Sequence, residues 1–133
     1  MEKPIVLAGH REELGCEEIL SWADDESGLR AILVIDNSTL GPAAGGIRTR
    51  VYRDDDEALM EVAGLARAMT YKCALGGLKA GGAKAVVIAN TLKDRQAAFE
   101  RLGLYIEGLE GRFRTAGDLG TTDAVYNFPK AIE

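Results

Sequence analysis

Histidine, cysteine and tryptophan are nearly missing from this chain, whose 133 residues include one His, two Cys and one Trp. With His10 alone, histidine-based metal sites and Ser-His-Asp triads lack the members they need, and a single histidine near a terminus reads as a solvated side chain. Cys16 and Cys73 form no C-x-x-C pair, so they read as buried or idle thiols of a reducing compartment. Basic runs are missing too. Net charge is −5, and no block of like charge exceeds the short DDDE of Asp54 to Glu57, which removes the electrostatic footprint of a nucleic-acid face. No apolar run approaches the ~20 residues of a membrane span. The N-terminal stretch MEKPIVLAGHREELG lacks the basic-then-apolar pattern of a signal peptide. The expected setting is cytoplasmic, with neither nucleic acid nor membrane as partner.

What is present is the composition of a folded domain, 47% apolar and 28% charged. Residues 1–133 fit one domain, of a size that buries roughly two-thirds of its unfolded surface. EEILSWAD (Glu17 to Asp24) reads as a strand stopped by the turn DESG. LRAILVID (Leu29 to Asp36) is a strand covered on both faces, because it holds five consecutive apolar residues. IRTRVY (Ile47 to Tyr52) alternates like a strand with one wet face. A helix capped by Asp54 or Asp55 runs to about Lys72, with Leu59, Val62, Ala63, Ala66 and Met69 on one stripe. KAVVIA (Lys84 to Ala89) is a buried strand. A second helix runs from Thr91 or Asp94 to about Leu109, RFRTAGD (Arg112 to Asp118) is the next strand, and a weak helical pattern ends at Pro129. Helix, strand, helix, strand in succession predicts parallel pairing with right-handed crossovers. The expected fold is an α/β three-layer sandwich with a small, mainly parallel sheet of four or five strands. Ligands are expected beyond the carboxyl ends of its strands.

The stretch YKCALGGLKAGGAK, Tyr71 to Lys84, carries three lysines and four glycines. It is no Walker A loop: Ala83 precedes Lys84, Ala85 stands where a Mg²⁺-binding hydroxyl belongs, and the loop leads from helix into strand. The dinucleotide fingerprint G-x-G-x-x-G occurs nowhere. Lys72 lies just before the glycines and Lys84 just after, so the loop can fold back and present both ammonium groups to one pocket. Lys84 opens an apolar strand, where desolvation and a second cation disfavour its charged form and make it available as a base. Lys72, remaining charged, suits a carboxylate. Asp118, ending its strand, can join them at the same sheet edge. Two lysines and an aspartate fit chemistry at an amine or carbonyl next to a carboxylate.

Three ordered blocks, SGLRAILVIDNSTLGPAAGGIRTRVY, ARAMTYKCALGGLKAGGAKAVVIA and LEGRFRTAGDLGTT, make the chain resemble the N-terminal, substrate-binding domain of the glutamate/leucine/phenylalanine/valine dehydrogenases, in particular the leucine and valine branch. The resemblance implies that Lys72 binds the substrate α-carboxylate, and that Lys84 activates water and stabilises charge at the tetrahedral carbon. It gives Asp118 the proton exchange with the amine, and Gly45 and Gly46 a close backbone approach to substrate. Ala44 stands where the glutamate branch carries a lysine for the γ-carboxylate. With Met69 and Ala116 it implies an apolar pocket for an aliphatic amino acid or its 2-keto acid. Lys79 and Gly117 depart from the leucine branch, which usually carries other polar residues there. NAD or NADP is implied for the complete enzyme, with no nucleotide site expected in this chain. A separate Rossmann domain is the expected partner, and homo-oligomers are expected. Two other readings stay open: a stand-alone amino-acid binding or oligomerisation module, and an enzyme forming a carbonyl-lysine adduct at Lys84.

Overall fold

A computed structural model describes residues 5–6 and 8–117 of the chain. In chain order the elements are β1 (Ile5–Val6), α1 (Ala8–Leu14), β2 (Glu18–Asp24), β3 (Leu29–Asn37), β4 (Ala43–Arg50), α2 (Asp55–Leu75), β5 (Gly81–Ile88), α3 (Arg95–Glu107) and β6 (Phe113–Gly117). Among the described residues these strands make one six-stranded sheet in the order β1-β2-β3-β5-β4-β6.

The sheet is mixed, which corrects the expectation of a mainly parallel one. β4 pairs in parallel with β5 and β6, as the crossovers through α2 and α3 require. β1, β2, β3 and β5 pair antiparallel in turn. The turn after β2 decides this. Asp24 accepts from the Ser27 backbone at 3.1 Å and from its hydroxyl at 2.6 Å, and a turn this tight can only return the chain antiparallel. α1 and β1 were not foreseen, and the weak helical pattern ending at Pro129 lies outside the described residues. β4 and β5 both begin earlier than their β-branched residues suggest, at Ala43 and Gly81, because alanine and glycine pair normally once a neighbouring ladder holds them.

One helix covers each face. On one side, Leu33, Ala43, Ile47, Ala83, Ala85 and Val87 pack against Phe99, Leu102 and Ile106 of α3. On the other, Ile19, Ile32, Val34, Val86 and Ile88 pack against Leu59, Val62 and Ala66 of α2. Each large side chain fully buried this way contributes roughly 1.5–3 kcal/mol. The helices start on aspartate caps: Asp54 accepts from the Glu57 backbone at 2.8 Å and Asp94 from that of Ala97 at 3.1 Å. Among the described residues no helix is long and apolar enough to cross a membrane.

Candidate functional site

The glycine-rich stretch divides into two pairs with separate tasks. Gly76 and Gly77 end α2. The Leu78 N–H donates to the Cys73 carbonyl at 2.9 Å and that of Gly77 to Ala74 at 3.2 Å, with Gly77 at φ +70, the left-handed helix stop that glycine favours. Gly81 and Gly82 open β5. A Cβ on Gly82 would stand 2.1 Å from the Thr70 nitrogen, so helix and strand meet there backbone to backbone. Lys72 follows Thr70 by two residues and Lys84 follows Gly82 by two, so the two lysines flank one crossing point.

Alternation along the strands assigns the faces. Ala83, Ala85 and Val87 belong to the α3 side and Val86 and Ile88 to the α2 side, which turns Lys84 toward α2. Ala43 and Ile47 face α3, which turns Ala44 and Gly46 to the same face as Lys84. Lys84 is 8% exposed and pairs with Val34 of β3. It therefore sits within the sheet, and not at the mouth of a strand as its position before KAVVIA suggests. Ala44 and Gly46 are partly buried, and Gly46 is the ladder partner of Ala116 in β6. Of the candidate residues, Lys84, Ala44 and Gly46 share the α2 face of the parallel strands, where Thr70 closes over the neighbouring Gly82.

α2 borders this floor with one flank. Glu61, Leu65, Met69 and Lys72, spaced by four, four and three, share a stripe. Glu61 ties that stripe to β4 through Arg48 at 3.1 Å and Arg50 at 2.9 Å. Met69 is partly buried and Lys72 exposed. Met69 thus belongs to the edge of the helix beside β4, while Leu59, Val62 and Ala66 form its buried stripe. Burial acts to raise the Glu61 carboxyl, but the Tyr52 hydroxyl, Arg48 and the charge of Arg50 outweigh it and hold Glu61 below the usual range. Burial first, and then Glu61 itself, push the Tyr52 phenol well above its ordinary value.

Gly45 has a different place from Gly46. It faces α3, and a Cβ there would stand 1.6 Å from the Ala83 carbonyl oxygen, so its lack of a side chain serves the β4–β5 contact. Lys79 is exposed in the turn between α2 and β5. Asp118 lies outside the described residues. The sequence reading missed Asp36, Thr70, Arg48 and Glu61. For Asp36 a signal existed, a carboxylate directly ending the apolar run of β3. For Thr70 there was none, since its contacts are tertiary.

Known proteins place this arrangement in a family. The family described as "Glu/Leu/Phe/Val dehydrogenase, dimerisation domain" matches residues 17–128. Leucine dehydrogenase of Geobacillus stearothermophilus is 47% identical over 119 residues, 89% of this chain and 32% of that protein. Phenylalanine dehydrogenase of Lysinibacillus sphaericus is 48% identical over 107 residues, 80% of this chain and 28% of that protein. The crystal structure of L-tryptophan dehydrogenase from Nostoc punctiforme matches with TM-score 0.79 at 36% identity, over 90% of this chain and 36% of that one. The chain spans about a third of the length of these relatives. On the match across most of its residues, the chain belongs to the Glu/Leu/Phe/Val dehydrogenase family and corresponds to its dimerisation domain.

Proposed function

We propose that residues 1–133 are the substrate-binding and catalytic half of an NAD(P)-dependent amino-acid dehydrogenase. It acts on aliphatic L-amino acids by oxidative deamination, working with a Rossmann-type domain. The observation that carries this reading is Lys84: a lysine only 8% exposed, on the sheet face that Ala44 and Gly46 of β4 share with it. Burying a cation is costly, and Ala44 and Gly46 bring little side-chain bulk to the face beside it.

In this reading Lys72 holds the α-carboxylate and Lys84 accepts a proton from the water that attacks the imine carbon. Once protonated, Lys84 stabilises the charge developing at the tetrahedral centre, and Asp118 carries the proton to the amine. The nicotinamide supplies the hydride acceptor. The described residues do not fit that cofactor: α2 and α3 start on Asp54 and Asp94, and Asp55, Asp56 and Glu57 fill the first turn of α2, where a pyrophosphate would need positive charge. Ala44, Met69 and Ala116 surround the substrate side chain, which favours an aliphatic group. The family's dimerisation role supports a homo-oligomer.

The test mixes this chain with the cofactor domain of a related dehydrogenase and follows leucine-dependent NAD reduction. Activity that Lys84→Ala abolishes is the expected result. Leucine binding without any rescue points instead to a binding module, and borohydride trapping of a keto acid on Lys84 to an adduct-forming enzyme. Glutamate binding as well as leucine would refute the pocket assignment.

A further inference from the structure

Asp36 is the penultimate residue of β3 and its side chain is 8% exposed. It stands at a register irregularity of the β3–β5 ladder, between Ile35 and Asn37. Ile35 faces α3, so Asp36 turns toward α2. Its two oxygens are both engaged there. The Thr70 hydroxyl donates to Oδ2 at 2.6 Å, and Arg67 Nε donates to Oδ1 at 3.4 Å. Arg67 also donates through Nη2 to the carbonyls of Leu14 at 3.0 Å and Gly15 at 3.3 Å. A carboxylate this buried persists only with such partners, and losing one leaves the other stranded.

We propose that Asp36 is a positioning residue that locks the last two turns of α2, and with them Met69 and Lys72, against the floor made by β4 and β5. The role rests on the amino-acid reading given above. Three contacts define the lock. Gly82 lets Thr70 seat backbone to backbone on β5. Asp36 then holds Thr70 and Arg67 on the β3 flank, and Glu61 holds Arg48 and Arg50 on the β4 flank. Pinned on both flanks, the helix cannot roll about its axis. A roll of roughly 20° would carry a side chain at its outer radius of about 5–6 Å through about 2 Å. A shift of even about 1 Å at a reacting centre can cost on the order of a hundredfold. Lys72 itself is exposed, so the lysine depends on the helix beneath it for its place.

The test compares Thr70→Val, Thr70→Ser and Asp36→Ala with the unsubstituted chain in two measurements, amide hydrogen exchange and leucine binding by calorimetry. The lock predicts that Thr70→Val and Asp36→Ala speed exchange at least tenfold over residues 66–75 while residues 55–62 keep their protection. Leucine affinity falls about tenfold in the same two variants, and Thr70→Ser restores both. Exchange unchanged over residues 66–75 overturns the lock. Faster exchange there with leucine affinity intact overturns the positioning role, because the contact is then merely structural. If Asp36→Ala does not fold, Thr70→Val and Thr70→Ser decide the matter between them. An unsubstituted chain that binds no leucine overturns the amino-acid reading, and the exchange pattern then decides the lock alone.

Discussion

Gly45 and Ala83 stand so close across the β4–β5 ladder that a Cβ on Gly45 would lie 1.6 Å from the Ala83 carbonyl oxygen. The paired glycines of β4 therefore separate by task, Gly45 serving the sheet and Gly46 remaining on the face that carries Lys84. Gly45→Ala forces two hydrogen-bonded backbones apart and is expected to cost about 3 kcal/mol, at the upper end of overpacking. Gly46→Ala is expected to change stability by less than about 1 kcal/mol, since alanine loses less backbone freedom on folding, and to weaken leucine binding. Urea unfolding with calorimetry separates the two; equal destabilisation would refute the division.

Lys72 and Lys84 differ in burial, which predicts opposite balances of effect. Lys72→Ala removes an exposed side chain and should leave stability within about 0.5 kcal/mol. The proposed charge-assisted contact with a substrate carboxylate would be worth about 1.5–3 kcal/mol, so leucine affinity should drop roughly ten- to hundredfold. Lys84→Met keeps the buried volume and removes the cation. It should abolish restored dehydrogenase activity while the fold survives. Retained turnover in that variant would exclude Lys84 from the chemistry.

Glu61 ties α2 to Arg48 and Arg50 with its carboxyl held below the ordinary range. A folded-state value below the unfolded one means that the native chain binds fewer protons. The stabilisation is therefore present above the unfolded carboxylate range and is lost as pH falls through the folded value. Glu61→Gln should cost about 1–3 kcal/mol at neutral pH and flatten the acid limb of the stability curve. Thermal unfolding between pH 7 and pH 3 reads this directly, and parallel curves for the two proteins would contradict it.

Gly77 after α2 and Gly82 in β5 carry different costs. Gly77 has φ +70 with nothing near its Cβ direction, so Gly77→Ala should cost only the roughly 1–2 kcal/mol of a left-handed conformation. Gly82→Ala must push α2 away from β5 at Thr70. It should cost more, about 3 kcal/mol, and lose leucine binding as well. If Gly77→Ala harmed binding more than Gly82→Ala, the seat of α2 on β5 would be misassigned.

The sequence by itself determined α2 and α3, because their caps and apolar spacing are local and both begin at the aspartates that the sequence marks. It also determined the family, since three blocks in order identify it over most of the chain. The apolar runs marked β2, β3 and the core of β5 for the same local reason. Tertiary structure alone decided where β4 and β5 begin, because Ala43 and Gly81 have no strand preference and are held there by neighbouring ladders. It decided that Lys84 sits inside the sheet. It decided too that Gly45 and Gly46 serve opposite faces and that Asp36 meets Thr70 across 34 residues of sequence. Each of these depends on which strand lies beside which, and a sheet's order is a property of pairings between distant segments that local spacing does not contain.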